Sequence, residues 1–390
     1  MKQIFPRRPQ LAALITLTAL GLGVTPGGQA IERKIDPDIS YGSYVGVGAL
    51  LDSNVSRSAA NELDSAITEV SAGLRKKFEM GQQSVTLVAN LAHHEYDETS
   101  ELSHTGGDLL VRYGYVVGRN WRGDVSFAHI RTLRDQENLT DLDGGLRTTN
   151  RINANVIRAL SANSQLELRL AQSMIDIERN LAVDGDVDRS RAILRYRHEF
   201  QPGKAVGVEA NYLERSAQGS DALNDFEQQS FGVFGEWLLG SKTQLKARVM
   251  QTNRELELSE EFSGVTGAAE LNFALSERSG LQIGAARYAS NLSDESVGYA
   301  VIDQFSVTPR WQPTSNLSLS AFARLENRDF EGTSLREDDV LRAGIEIAWR
   351  VLRASEIVLS YEHGDRSSSD ANFDFDYNII SLQFRLATVE

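Results

Sequence analysis

The residues with most capacity for chemistry are six histidines: His93, His94, His104, His129, His198 and His363. A hydrolase would need one of them as a base beside a Ser or Asp nucleophile. His94 and His363, the latter next to "GDRSSSD", are the candidates for that role. No spacing fixes a nucleophile beside either one. The pair at 93–94 points to opposite faces of a strand, so the two rings cannot chelate one metal together. "DGDVD" (Asp184–Asp188) sets carboxylates at alternate positions, as a calcium loop can, but lacks the EF-hand layout. The expected role of all of these is that of polar strand or loop residues. No enzyme activity, cofactor or metal is expected.

The second set of chemical groups is larger and periodic. Arg151, Arg169, Arg191, Arg195, Arg197, Arg248, Arg324 and Arg342 alternate with apolar residues, as do Glu167, Glu209, Glu236, Glu270, Glu326 and Glu346. Two signs interleaved on one face would be prohibitively costly in a dry core. In a water-filled lumen they stay hydrated or pair across strands. Such a lining offers guanidinium donors and carboxylate acceptors to a hydroxyl-rich solute. It suits a sliding sugar chain and an ordinary small-solute pore alike.

The elements that carry these groups read as strands. Val206, Val208, Ala210 and Tyr212 share one parity, with Gly207, Glu209 and Asn211 between them. Val85, Leu87, Ala89 and Leu91 repeat the pattern, as do Leu341, Ala343, Ile345, Ile347 and Trp349. This is the period-two alternation of a half-buried strand. A charge placed at Val208 should therefore hinder assembly, whereas Glu209→Gln should be tolerated. Connections alternate between two kinds. Short ones include "EMGQQ", "VGRN", "QPGK" and "QPTSN". Long acidic ones include "DSNVSRSAANELDS", "DQENLTDLDGG", "DFEGTSLREDD" and "GDRSSSDANFDFD". Eight short turns and nine long loops separate eighteen strands. That sorting predicts an all-β, transmembrane, antiparallel up-and-down β-barrel, with periplasmic turns and extracellular loops. A β-propeller has a similar period, but its blades need four short strands and no such signature is found.

Aromatic placement agrees with a membrane. Trp121, Trp237, Trp311 and Trp349 each lie within a few residues of a short turn and on the apolar parity; Phe200 and Phe273 sit similarly. This is the expected interface girdle. Tyr212, Phe231, Tyr299 and Tyr361 are candidates for a second girdle near the long loops. Asp303 lies on the apolar parity between Val301 and Phe305, which calls for an interfacial position or a bulge.

The bulk properties fit. Mean hydropathy is −0.31, and no stretch after the first thirty residues approaches the ~20 apolar residues of a membrane helix. Residues 1–30 read as a signal peptide: Lys2, Arg7 and Arg8, then "LAALITLTALGLGV", then small residues to Ala30. Residues 31–390 form one barrel domain. There is no cysteine, so disulfides and thiolate metal sites are excluded. The net charge of −14 disfavours nucleic acid as a partner.

After the first strand, "LLDSNVSR" (Leu50–Arg57) resembles the corresponding stretch of EpsL-type proteins, the β-barrel porins of bacterial exopolysaccharide operons. The resemblance implies an outer-membrane channel exporting an exopolysaccharide chain. It also implies a periplasmic polysaccharide export protein and an inner-membrane co-polymerase as partners. Outer-membrane lipid and the barrel-assembly machinery would be the further contacts. The alternative is a general or small-solute porin. "YNIISLQFRL" (Tyr377–Leu386) is expected to close the barrel.

Overall fold

The computed structural model describes residues 41–134, 136–137, 145–178, 186–217, 225–256, 261–290, 298–332 and 336–388. Residues 1–30, read as a signal peptide, lie outside the described residues. The strands are β1 (Tyr41–Asp52), β2 (Ser65–Met80), β3 (Gln83–Tyr96), β4 (His104–Val117), β5 (Trp121–Leu133) and β6 (Leu146–Ala159). Next come β7 (Ser164–Ile177), β8 (Val187–Gln201), β9 (Lys204–Ala217), β10 (Phe226–Leu239), β11 (Thr243–Leu256) and β12 (Phe262–Ser276). The last are β13 (Ser279–Ser290), β14 (Gly298–Thr314), β15 (Leu317–Gly332), β16 (Arg336–Leu352), β17 (Ser355–Ser368) and β18 (Phe375–Thr388). Helix is confined, among the described residues, to two short 3-10 turns, Ser100–Leu102 and Ala371–Phe373.

Each strand pairs antiparallel with its neighbours in sequence, and β18 returns to β1 from Ser43↔Thr388 to Asp52↔Ile379. The result is a closed, up-and-down, eighteen-stranded barrel without an edge. Closure is what allows a sheet to cross a bilayer with every backbone group paired inside the sheet. The short turns hold the alternation in register. In "QPGK", Gly203 takes φ +74, a conformation that costs glycine little, and Gln201 pairs with Lys204 across the turn.

The two faces of each strand differ as the alternation requires. On β9, Val206 and Val208 are exposed on the outer wall, whereas Glu209 is 2% exposed. On β10, Phe231 is 63% exposed and Phe234 is buried. Exposed large apolar side chains recur around the wall, among them Leu91, Ile152, Leu170, Val249, Val265, Leu325, Ile345 and Leu382. A soluble protein would not leave this band to water; a lipid-facing wall requires it. Buried apolar residues form small clusters toward the long-connection ends, such as Val55, Ile67 and Leu102, or Ile175, Ile177 and Val187.

Two expectations change here. Much of "DFEGTSLREDD" is strand: β15 runs to Gly332 and β16 starts at Arg336. Backbone pairing continues through it, with Asp329 opposite Glu337 and Phe330 opposite Arg336, so the ladder extends past the apolar band. Tyr299 does not join an outer girdle. It is buried with Phe226, Leu256 and Val301, and meets the Phe262 ring edge-on at 5.7 Å. The start of β14 packs against side chains from the inner faces of β10–β12, so sequence parity no longer reports its surroundings there.

Candidate functional site

The inner wall carries most of the chemistry, and register decides which groups meet. Arg195 on β8 lies opposite Glu209 on β9. Its Nε donates to the Glu209 carboxylate at 2.8 Å, and its guanidinium stacks 4.5 Å from the Phe234 ring centre. Arg248 on β11 reaches Glu209 at 3.6 Å. Glu167 accepts from Arg169 at 2.6 Å and lies 4.0 Å from Arg195. Arg197 donates to Glu236 at 3.1 Å and to Glu199 at 3.3 Å. Arg191 donates to Asn211 at 3.0 Å, and Arg151 to Ser173 at 3.1 Å. Glu270 accepts from Asn272 at 2.6 Å. Glu346 stands opposite Ser320 and Ser360. These groups are therefore paired within the wall rather than simply hydrated, and Glu209 in particular has two cationic neighbours.

Arginine dominates the wall from β6 to β9. Arg147, Arg189 and Arg215 share the inward parity of Arg151, Arg169, Arg191, Arg195 and Arg197. Several remain open to the lumen: Arg169 and Arg151 are at least a third exposed. Guanidinium groups stay charged under all ordinary conditions, so this side of the lumen carries fixed positive charge.

The wall from β15 to β18 uses the same residue types in a closed arrangement. Arg328 donates twice to Glu326, at 3.0 and 2.6 Å, and both side chains are buried. Arg324 lies 4.0 Å from the same carboxylate. Asp338 takes Arg366 at 2.6 Å and Arg336 at 3.1 Å. The Arg336 guanidinium also stacks on Phe330 and Phe373 at 3.9 and 3.7 Å.

Into this wall reaches Glu137, from the connection between β5 and β6. Its carboxylate pairs with Arg342 on β16, and its backbone carbonyl accepts from Arg366 on β17 at 2.7 Å. In the ring order β5 and β16 are far apart, so this contact crosses the lumen. Burial alone would push the Glu137 carboxyl up. The charges of Arg342, Arg328, Arg57 and Arg366 outweigh that and hold it below the usual carboxylate range.

The stretch Leu50–Arg57 lies beside the same wall. Arg57 donates to both oxygens of Asp52, at 2.9 and 2.8 Å, and stacks 3.9 Å over the Tyr377 ring. It does so with φ +51, the one positive φ outside glycine among the described residues. Asn54 donates to the Asp376 carbonyl at 2.9 Å, Ser53 N to Asn378 O at 3.0 Å, and Ala59 N to Asp374 O at 3.1 Å. These bonds strap the first connection across the β1–β18 seam. Burial disfavours the Arg57 charge, but Asp52 restores it and raises its pKa.

Other candidates do not converge. His94 faces inward, 3.6 Å from Glu69 and stacked on His104 at 4.9 Å. His363 shares the outward parity of Tyr361 and meets Asn378 at 3.1 Å. The two are on opposite faces of the wall, and among the described residues neither has a serine hydroxyl as hydrogen-bond partner. Asp184 lies outside the described residues; among the described residues no group of three potential metal ligands occurs. Trp121, Phe200, Phe273, Trp311 and Trp349 stand on the outer wall near the short turns, exposed, with Trp237 half-buried over Gly235. Asp303 lies in unbroken register opposite Arg287 and pairs with it at 2.7 Å. A neighbouring charge, not a bulge, accounts for it.

Sequence reasoning missed Glu137, Arg336, Asp338 and Arg366, because all fell in segments read as loops, and it missed Arg328, which directly precedes one of them. For Arg328 and Asp338 the available signal was the parity shared with Arg324, Glu326 and Arg342.

Residues 43–388 match the family model described as "Putative beta-barrel porin 2". No curated protein matches the chain. Among solved structures, the outer membrane protein OpdK from Pseudomonas aeruginosa aligns at 10% identity, covering 89% of this chain and 99% of that one, with a TM-score of 0.51. Pseudomonas aeruginosa OccK2 (OpdF) in complex with glucuronate aligns at 10% identity, over 90% of this chain and 98% of that one, with a TM-score of 0.50. At such identity the likeness is one of fold.

Proposed function

Since the chain belongs to the family described as "Putative beta-barrel porin 2", and such barrels reside in the bacterial outer membrane, we propose that it is a diffusion channel for small hydrophilic solutes and favours anions. The observation that carries this reading is the arginine-rich inner wall of β6–β9, with Arg151 and Arg169 open to the lumen. A line of fixed positive charge in a narrow, low-dielectric passage concentrates counter-ions and speeds their entry. No bond is made or broken. Flux follows the concentration gradient, and the wall selects by sign and size. Purified protein in planar bilayers under a KCl gradient should give a reversal potential on the chloride side. Cation preference, or silence under every condition, would remove the reading.

The exopolysaccharide reading, with its export protein and co-polymerase as partners, is less supported. It rests on Leu50–Arg57, and those residues have a structural use at the seam that is independent of cargo. The Glu137–Arg342 contact also narrows the path a polymer would need. Deletion of the gene should leave surface polysaccharide unchanged; its loss would restore the polymer as cargo.

A further inference from the structure

We propose that Arg342 and Arg328 form a carboxylate-binding subsite in the lumen, that Glu137 occupies it in the resting chain, and that small carboxylate solutes pass by exchanging with Glu137. This rests on the porin reading and deepens it.

Three observations point to a site. First, the occupant is itself a carboxylate: the Glu137 side chain is 2% exposed and paired with Arg342 across the lumen. Second, Arg328 is 1% exposed and its Nη1 has no hydrogen-bond partner, although Nε and Nη2 both serve Glu326. A buried, unmet guanidinium donor is costly to keep and is normally matched by an acceptor. Arg328 stands opposite Asp338 on β16, the strand that carries Arg342 on the same inward parity, and its charge helps to hold the Glu137 carboxyl low. Third, Glu137 is held by its backbone as well, through Arg366 at 2.7 Å. Its carboxylate can therefore leave Arg342 while the residue keeps its place. The planar fork of arginine matches a carboxylate better than a hydroxyl, so a neutral polyol of equal size lacks the means to displace Glu137.

Gluconate and sorbitol are suitable probes, since they match in size and hydroxyl content and differ in the carboxylate. Liposome-swelling rates would be compared for each barrel, with assembly checked by heat-modifiable mobility. Glu137→Gln should raise the gluconate-to-sorbitol rate ratio by roughly three- to tenfold, the range expected when a charge-assisted competitor is removed. Arg342→Gln should lower that ratio below that of the unmodified chain. Equal gains for both solutes in Glu137→Gln would mean that Glu137 merely obstructs, and would overturn the subsite while leaving the porin reading intact. An unchanged ratio in Arg342→Gln would overturn it too. The unmodified chain gives an independent reading: gluconate current should saturate with concentration, and linear growth would count against a binding site. Passage of neither solute by the unmodified barrel would remove the porin reading itself.

Discussion

The two sides of the lumen are built from the same residue types and differ in how those residues are held. From β6 to β8, Arg151, Arg169, Arg195 and Arg197 keep contact with the lumen while pairing laterally with Ser173, Glu167, Glu209 and Glu236. From β15 to β17, Arg328, Arg336, Arg366, Glu326 and Asp338 are almost fully buried, with Arg336 stacked on Phe330 and Phe373 and Arg366 on Phe373 and Phe375. An arginine in an open wall supplies field to whatever passes. An arginine in a closed wall is a strut whose donors go mostly to its neighbours, with Nη1 of Arg328 an exception. Composition alone would treat the two walls as equivalent; burial separates them.

Breaking the closed wall should have the largest effect. Asp338→Asn leaves Arg336 and Arg366 buried without their carboxylate, and should cost about 3–5 kcal/mol, read as a lower urea midpoint for unfolding of the barrel in detergent or lipid. A lysine at Val208, on the outer wall behind the open side, should cost about 2–4 kcal/mol if it lies near the bilayer midplane. It should reduce the heat-modifiable, assembled fraction. Glu209→Gln comes next. The sequence suggests that it is harmless, but Arg195 and Arg248 both lean on that carboxylate. We expect a loss of about 1–3 kcal/mol, and a smaller loss would show that water in the lumen replaces the pair. Arg169→Gln should change stability least, within about 0.5 kcal/mol, while lowering the chloride-to-potassium permeability ratio. If stability falls instead, the open wall is a second closed one.

Acidity tests the same contrast. Glu137 has its carboxyl held below the usual range by the surrounding arginines. Its docking energy is therefore present at neutral pH and persists as pH falls through the ordinary carboxylate range. It is lost only lower, as pH passes the depressed value. Conductance should stay level down to that point and rise below it. An earlier rise, centred on an ordinary glutamate, would mean that Glu137 is not held by those charges.

Much of the barrel was legible because each strand repeats a period of two with a lipid-facing side. Val206 to Tyr212 and Leu341 to Trp349 announce their faces without any tertiary information. The long connections were less legible. Arg336, Asp338 and Arg366 look like solvated loop charges until the strands are seen to extend through them, and Arg328 stands at the edge of one such segment. Glu137 has no local signal at all, since its partner is some two hundred positions away. Tyr299 fails for the opposite reason: its parity is right, but the end of its strand packs against side chains from the inner faces of other strands. Asp303 was readable as an anomaly, and only the register showed that Arg287 answers it.

The seam between β1 and β18 has a consequence for how the chain comes together. Every other strand pairing joins neighbours in sequence, so seventeen hairpins can form from local encounters at little entropic cost. The last pairing must bring Ser43 to Thr388. Until it does, two unpaired edges face each other and any other chain with a free edge is a competitor. The strap from Ser53, Asn54 and Ala59 onto the start of β18 shortens that search, because a few bonds at the rim fix the register for the strands below. Residues that look like a recognition motif near the beginning of the chain would then serve as a clasp, timed by the synthesis of its end.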